Sequence, residues 1–283
     1  MARICVTGAS GKAGQATTRD LLAHGHEVVA TDLAPAPADL GTSFLRADLT
    51  DYGQVVELLQ GVDAVVHLGN IPAPGRHTPA TTFNANSAMN GNVFLAAAQL
   101  GLRRVVWASS ETTLGLPFGD VPPRYAPVDE DHFPHPTSTY ALSKVVGETI
   151  AAQISGWSGI PFVGLRLSNI FLPENYARVR SFWADPHARK WNLWGYVDVR
   201  DVAQACRLGL DAPVEGSANF IIAAADTIMD RPSADLLREV FPEVKVSRDV
   251  AGFETLLAID RAREALGFAP QYSWRDHVDV PTA

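Results

Sequence analysis

Val6-Thr7-Gly8-Ala9-Ser10-Gly11-Lys12-Ala13-Gly14 decides the fold. The stretch follows a β-branched, apolar run at 4–6 and opens into a helical pattern over 15–24, so three glycines fall on a strand-to-helix turn. Gly8 permits the tight turn, Gly11 lets a pyrophosphate approach the backbone, and Gly14 lets the helix pack close to a sheet. Ser10, Lys12 and Ala13 complete a loop that presents phosphates to a helix N-terminus, where unpaired N–H groups and the dipole favour negative charge. A structural loop is the competing reading of the glycines alone. A second apolar run, 27–31, ends at Asp32, 18 residues beyond Gly14, with Leu33 after it. A carboxylate there accepts the ribose hydroxyls of NAD and repels the 2′-phosphate of NADP, and no arginine intervenes before Arg46. The alternative for Asp32 is a solvated strand-end residue.

The chain has 283 residues, enough to bury a substantial core in one large domain or one domain with a lobe. Hydrophobic residues at 47% and charged residues at 19% are ordinary globular values. A net charge of −8 argues against nucleic acid or an anionic membrane as partner, since both call for a concentrated basic face. No basic segment precedes an apolar one at the start, and no apolar run approaches the ~18 residues of a membrane span, so a cytoplasmic protein is expected. Cys5 lies in the first strand and Cys206 in a late helix, which points to two buried thiols rather than a disulfide.

Short apolar strands alternate with helical patterns from there on: strand 44–46, helix 52–59, strand 64–68, helix 86–100, strand 104–108. These are βαβ units, and near-continuous apolar strands predict a parallel sheet covered on both faces. Open sheets of this kind bind ligands at the carboxyl ends of their strands. Asp48, Leu49, Leu68, Gly69 and Ala108 fall at those ends and are candidate cofactor contacts. Asp48 either accepts from an adenine amine or caps the following helix. Residues 69–83 read as a loop over the site, and 115–139, rich in proline and acid, as a long surface loop.

A helix beginning near Thr139 carries Tyr140-Ala141-Leu142-Ser143-Lys144. Tyrosine and lysine at i and i+4 share a helical face. A free phenol ionises near pH 10 and is useless as a base at neutrality, but a lysine ammonium and a positive nicotinamide ring beside it favour the phenolate. Ser109-Ser110 closes the preceding strand.

Taken together these residues resemble the extended short-chain dehydrogenase/reductases, the NAD-dependent sugar epimerase/dehydratase family. The glycine turn Thr7 to Gly14, the acid at Asp32, and the set Ser110, Tyr140 and Lys144 match its motifs. So do Asn86 in a helix and the stretches Leu165-Arg166-Leu167-Ser168-Asn169-Ile170-Phe171, Tyr196-Val197-Asp198-Val199-Arg200-Asp201-Val202-Ala203 and Leu266-Gly267-Phe268-Ala269-Pro270. The resemblance implies a Rossmann-type doubly wound parallel sheet (1–165 and 196–224) with a small substrate lobe (166–195 and 225–283), NAD as cofactor, and no metal. It also implies a homodimer built on helices 86–100 and 140–153, although their Phe94, Leu95, Ala97 and Val145 suit ordinary packing equally well. In the implied roles, Tyr140 takes the proton of a sugar hydroxyl, Ser110 hydrogen-bonds the same oxygen, Lys144 binds the nicotinamide ribose, and Asn86 lies in the helix lining the cofactor. Thr112 and Thr113 are further candidates for a polar wall.

Departures from the family narrow the function. Dehydratases carry an adjacent Asp-Glu pair after the strand-five hydroxyl. Here the positions are Glu111-Thr112, so water elimination is not expected, and Glu111 either hydrogen-bonds substrate or closes a polar network. Nucleotide-sugar 4-epimerases carry a diphosphate-gripping arginine where this chain has Trp194, and only 26 residues separate Asn169 from Gly195. A smaller substrate follows, since a diphosphate needs charge-assisted donors. The segment Leu172-Pro173-Glu174-Asn175-Tyr176-Ala177-Arg178-Val179-Arg180-Ser181-Phe182-Trp183 is similar to that of uronate dehydrogenases, whose carboxylate-binding arginine falls on Arg178. A surface salt bridge is the alternative, with Arg180 competing for the role. Asn70, Ile71, Ser168 and Asn169 are then expected near a small sugar or sugar acid. Trp183, Trp191 and Trp194 are expected to pack the lobe. Two other functions stay open: a UDP-sugar epimerase holding NAD throughout, and a non-enzymatic NAD-binding sensor.

Overall fold

The computed structural model describes residues 1–132 and 134–278; Phe133 of the 115–139 segment and 279–283 of the small lobe lie outside the described residues. Five strands, β1 (Arg3–Thr7), β2 (Glu27–Asp32), β3 (Ser43–Arg46), β4 (Ala64–His67) and β5 (Arg104–Ser110), precede the two-residue β6 (Tyr125–Ala126). After them come β7 (Phe162–Leu167), β8 (Ile170–Phe171), β9 (Val197–Asp198), β10 (Ser217–Ile222) and β11 (Lys245–Val246). Seven form one sheet in the order β10-β7-β5-β4-β1-β2-β3, every neighbouring pair parallel. The order reverses between β1 and β4, the crevice where a doubly wound sheet takes its ligand. The fold is Rossmann-like.

Strand residues alternate between two apolar cores. Ile4, Val6, Val28, Val66, Val106 and Val163 face one core, and Cys5, Val29, Val65, Val105 and Phe162 the other. Helices α1 (Lys12–Ala23) and α5 (Val199–Asp211) cover the first face; α2 (Tyr52–Leu59), α3 (Pro79–Leu100) and α4 (Thr139–Ser158) cover the second. The short helices α6 (Ser233–Val240) and α7 (Asp260–Leu266) extend the first core. Both cysteines are buried and unbridged, and burial pushes each thiol up to about 12, which keeps it inert.

Local chemistry accounts for most boundaries. Ser138 caps α4 by accepting from the Ala141 N–H at 3.1 Å, and Gly159 ends it at φ 74°. Helix α3 starts at Pro79 rather than near Asn86, because Thr78 caps it and a proline at the first helical position gives up no hydrogen bond. The 115–139 segment is not a surface loop along its whole length: Leu116, Phe118, Ala126 and Val128 are buried in the first core. Of the helix residues considered for a subunit contact, Phe94 and Ala97 belong to the second core, whereas Leu95 is 44% exposed.

Strand β7 is interrupted by Gly164 and Arg166, which masks its apolar character, yet all six residues are buried. Arg166 is accommodated by charge. Its Nε and Nη2 each donate to Glu148 of α4 at 2.9 Å, its Nη1 donates to the Glu130 carbonyl at 3.0 Å, and Ser109 of β5 donates to the same Glu148 at 2.6 Å. The pair fastens β5, β7 and α4 directly behind the candidate site. Replacing Arg166 by Met strands a buried carboxylate and is expected to cost about 3–5 kcal/mol in urea unfolding; a loss within about 1 kcal/mol would contradict this.

Candidate active site

The glycine turn is built by close approach. Gly8 sits at φ +69°, and a Cβ on it would lie 2.7 Å from the Leu68–Gly69 backbone; one on Gly14 would lie 2.1 Å from the Gly8 carbonyl. The Thr7 hydroxyl accepts from the Leu68 and Gly69 N–H groups at 3.1 and 3.0 Å, so its own proton goes to His67 Nδ1 at 2.8 Å. His67 Nε2 therefore carries the ring proton and donates to Asn90 Oδ1 at 3.0 Å. Burial pushes this imidazole down to about 3, with Lys144 adding to the effect, so it remains neutral.

The residues present fit a dinucleotide. Gly11 is the N-cap of α1, there is no side-chain cap and no acid in the first turn, so the N–H groups of Lys12, Ala13 and Gly14 remain for an anion. Asp32 Oδ2 accepts from Ser10 N and Oδ1 from Ala34 N, both at 3.0 Å, which fixes the carboxylate at the end of β2 beside the exposed Leu33. Asp48 does not cap α2. Asp51 does, while Asp48 accepts from both Thr50 N and Oγ1. Leu49 is buried against Gly69, and the Lys12 ammonium donates to the Ile170 carbonyl at 2.5 Å, tying the turn to β8. Arg46 is closer than sequence distance implies, because the parallel register sets it opposite Asp32, and its Nε donates to the Leu33 carbonyl at 2.8 Å.

Ser110, Tyr140 and Lys144 converge at the end of β5 and the start of α4. Ser110 lies close enough to the Tyr140 phenol to favour its ionised form, and its Oγ accepts from Thr112 N and Oγ1 at 3.2 and 2.9 Å. Lys144 Nζ lies 5.6 Å from the Tyr140 ring centre and donates to Asn70 Oδ1 at 2.6 Å and the Ala108 carbonyl at 2.8 Å. Lysine alone does not ready the phenol in this arrangement. Burial outweighs the influence of Ser110 and pushes Tyr140 up to about 12, and burial also brings the Lys144 ammonium down to about 7. Asn86 holds the neighbouring loop: its Oδ1 accepts from Ile71 N at 2.8 Å and its Nδ2 donates to the Ile71 carbonyl at 3.1 Å and to Ser143 Oγ at 3.3 Å.

Across from these lie Glu111, Ser168 and Asn169. Ser168 donates to Glu111 Oε2 at 2.6 Å, which closes a polar network, and Thr113, bonded to the Ser110 carbonyl, is fully buried rather than part of a wall. Arg189, absent from the expected set, donates through Nη2 to Asn169 Oδ1 at 3.1 Å and to the Gly195 carbonyl at 3.2 Å. Its one sequence signal is a basic residue inside an aromatic-rich run, where a guanidinium finds rings to stack on. Arg178 is exposed on the rim, 5.7 Å from the Phe171 ring centre. Trp194 is fully buried, and the Trp183 indole N–H is spent on the Ile228 carbonyl, so both pack the lobe.

Two outcomes follow. Replacing Asp32 by Ala leaves Arg46 as the nearest charge, so the ratio of NADP to NAD affinity is expected to rise at least about tenfold in fluorescence titrations; an unchanged ratio counts against Asp32 as the discriminating group. Burial pushes Glu111 up to about 7, against its Ser168 hydrogen bond and the charge of Arg189. The folded chain therefore holds this proton more tightly than the unfolded one, and its contribution to stability is complete at acid pH and lost as pH rises through about 7. Glu111→Gln removes that loss. Relative to wild type the variant is expected to gain up to about 3 kcal/mol in urea unfolding between about pH 4 and pH 8, whereas a pH-independent difference would refute the assignment.

Known proteins are similar to this chain. A uronate dehydrogenase of Pseudomonas putida is 28% identical over 183 residues, 64% of this chain and 66% of that protein, so the match spans just under two thirds of the relative. A UDP-glucose 4-epimerase of Lacticaseibacillus casei is 26% identical over 97% of this chain and 94% of its own. A solved structure, a mutated uronate dehydrogenase, superposes with a TM-score of 0.70 at 24% identity, covering 98% of this chain and 85% of that one, a likeness of fold. The sequence pattern of the NAD dependent epimerase/dehydratase family matches residues 4–224, and the chain belongs to that family of NAD-dependent enzymes.

Proposed function

We propose that the protein is an oxidoreductase that transfers hydride between NAD and a small sugar or sugar acid, with a uronate as the preferred substrate class. The observation that carries this reading is the compact segment between Asn169 and Gly195. It folds into two 3-10 turns, Pro173–Phe182 and Pro186–Asn192, and Trp194 is fully buried at the position where diphosphate-gripping arginines stand in 4-epimerases. The proposed substrate lobe, 166–195 with 225–278, is thus filled by its own side chains and suits a free monosaccharide. NAD, when bound, supplies the hydride acceptor and a positive ring.

The chain's residues then take these roles. Tyr140 accepts the proton of the sugar hydroxyl at its phenolic oxygen, and Ser110, beside that phenol, orients the reacting group. Lys144 holds the ribose and passes part of its charge to the site, while Asn86 keeps the Asn70–Ile71 loop in place beneath it. Asn70, Ile71, Glu111, Thr112, Ser168 and Asn169 surround the sugar, with Arg178 at the mouth of the site. The turn Gly8 to Gly14, with Asp32, Leu33, Asp48, Leu49, Leu68, Gly69 and Ala108, receives the dinucleotide.

UDP-sugar 4-epimerisation is the second reading, favoured by the relative that aligns along nearly the whole chain. We also assign a homodimer through α3 and α4, supported by exposed Leu95 and Trp157, which share one shallow groove with Tyr52.

Net redox change separates the two activities. NADH, followed by its near-ultraviolet absorbance, is expected to accumulate with free uronates and not with UDP-sugars, and Tyr140→Phe is expected to lower kcat at least about 100-fold with NAD affinity retained. A changed C4 configuration in a UDP-sugar without NADH would move the protein to the epimerases.

A further inference from the structure

As Lys144 is beside Tyr140, Arg189 is a cation held inside the candidate site. It is 7% exposed, on the 3-10 turn Pro186–Asn192. Its guanidinium carbon lies 4.9, 5.3 and 5.8 Å from the ring centres of Trp191, Phe182 and Phe171, which fixes the plane of the fork. Nη2 is spent on Asn169 and Gly195, but the Nε–H is buried with no partner among the described residues. No carboxylate stands within ion-pair distance of this arginine among the described residues; Glu111 acts on it from further away.

Those facts conflict with a purely structural role. A buried guanidinium without a counter-ion is costly, and a buried N–H without an acceptor adds to the cost. Two carbonyl acceptors on one nitrogen would anchor a loop just as well from a neutral amide. A guanidinium clamped between rings, with an unpartnered Nε–H on the same edge as the Nη2 that holds Asn169, suits an oxygen of a planar carboxylate instead. The rim differs. Arg178 is exposed, and it lies close enough to lower the affinity of Lys12 and Arg189 for their own protons, as Arg76 does for Lys12. In a chain of net charge −8, that group of cations draws an anion toward the mouth.

We propose that Arg189, rather than Arg178, receives the carboxylate of the sugar acid, Arg178 serving to steer the anion in. The assignment rests on the oxidoreductase reading and specifies its substrate contact. Oriented this way, the carboxylate sits beside Asn169 and the far end of the sugar points back past Ser168 toward Ser110 and Tyr140.

The test compares D-glucuronate, D-glucose and D-glucose 6-phosphate in wild type, Arg189→Met, Arg189→Lys and Arg178→Ala, by kcat/KM and by calorimetric binding in the presence of NAD. Arg189→Met is expected to lower kcat/KM for glucuronate about 100-fold while leaving glucose within about threefold. Arg189→Lys, which keeps the charge but loses the fork, is expected to fall between. Arg178→Ala is expected to lower glucuronate less than about tenfold, chiefly at low salt. Equal losses on glucuronate and glucose would reduce Arg189 to a framework residue and overturn the proposal, as would a larger selective loss in Arg178→Ala. A selective loss on glucose 6-phosphate alone would overturn the carboxylate in favour of a phosphate. Binding keeps the two readings apart: glucuronate bound by wild type without NADH, and released in Arg189→Met, would sink the oxidoreductase and sustain the anion site. Absence of glucuronate binding in wild type would sink the anion site itself.

Discussion

Everything at the candidate catalytic edge depends on how closely the first β-to-α turn passes the end of β4. Gly8 lies against the Leu68–Gly69 backbone with no room for a Cβ, and the Thr7 hydroxyl takes both N–H groups of that bend. Because those two acceptor sites are filled, Thr7 has only its proton left for His67, and the imidazole is fixed in one tautomer on Asn90 of α3. One hydroxyl thus registers β1, β4 and α3 together. Asn70 and Ile71 follow directly on the bend, so their grip on Lys144 and Asn86 inherits its position. Packing alone would tolerate small shifts here. A chain of buried hydrogen bonds does not, since each broken link leaves an unsatisfied polar group.

A second fixed point sits one strand pair away. The buried Arg166–Glu148 pair, joined by Ser109, locks β5 and β7 to α4 immediately behind Ser110 and Tyr140. Burying such a pair contributes little net stability compared with apolar packing, so its value lies in geometry. The phenol on α4 and the hydroxyl on β5 are held on separate elements, and this clamp sets their spacing. Tyr140 is costly to ionise: burial and the nearby Glu111 oppose the phenolate, Ser110 offsets only part of that, and Lys144 is itself desolvated.

The sheet and the glycine turn were legible because each rests on local signals: near-continuous apolar strands, a three-glycine spacing, an acid at the end of β2. Helix α4 begins at Thr139, as expected, and Ser138 is its cap. What was hidden was set by long-range pairing. Arg46 is 14 residues from Asp32 along the chain, yet parallel register makes them neighbours. Strand β7 was obscured by an arginine whose partner lies on another helix. The proline and threonines before Asn86 signalled a loop, and only the Thr78 cap with Pro79 behind it turns them into a first helical turn. Arg189 carried no motif at all; three rings from separate parts of the lobe make its surroundings.

The charges around Glu111 and Arg189 bear directly on the proposed substrate lobe. Glu111 and Arg189 share one buried polar network through Ser168 and Asn169 but do not form an ion pair. Each is therefore poised against its own desolvation, the carboxyl raised to about 7 and the guanidinium lowered to about 10. Direct pairing would have relieved both costs and left an inert floor. Kept apart, the acid can hold its proton while the arginine presents its positive charge, and an incoming anion meets a cation whose hydration has already been removed. Folding has then borne a cost that binding would otherwise bear, the general route by which preorganised sites gain affinity.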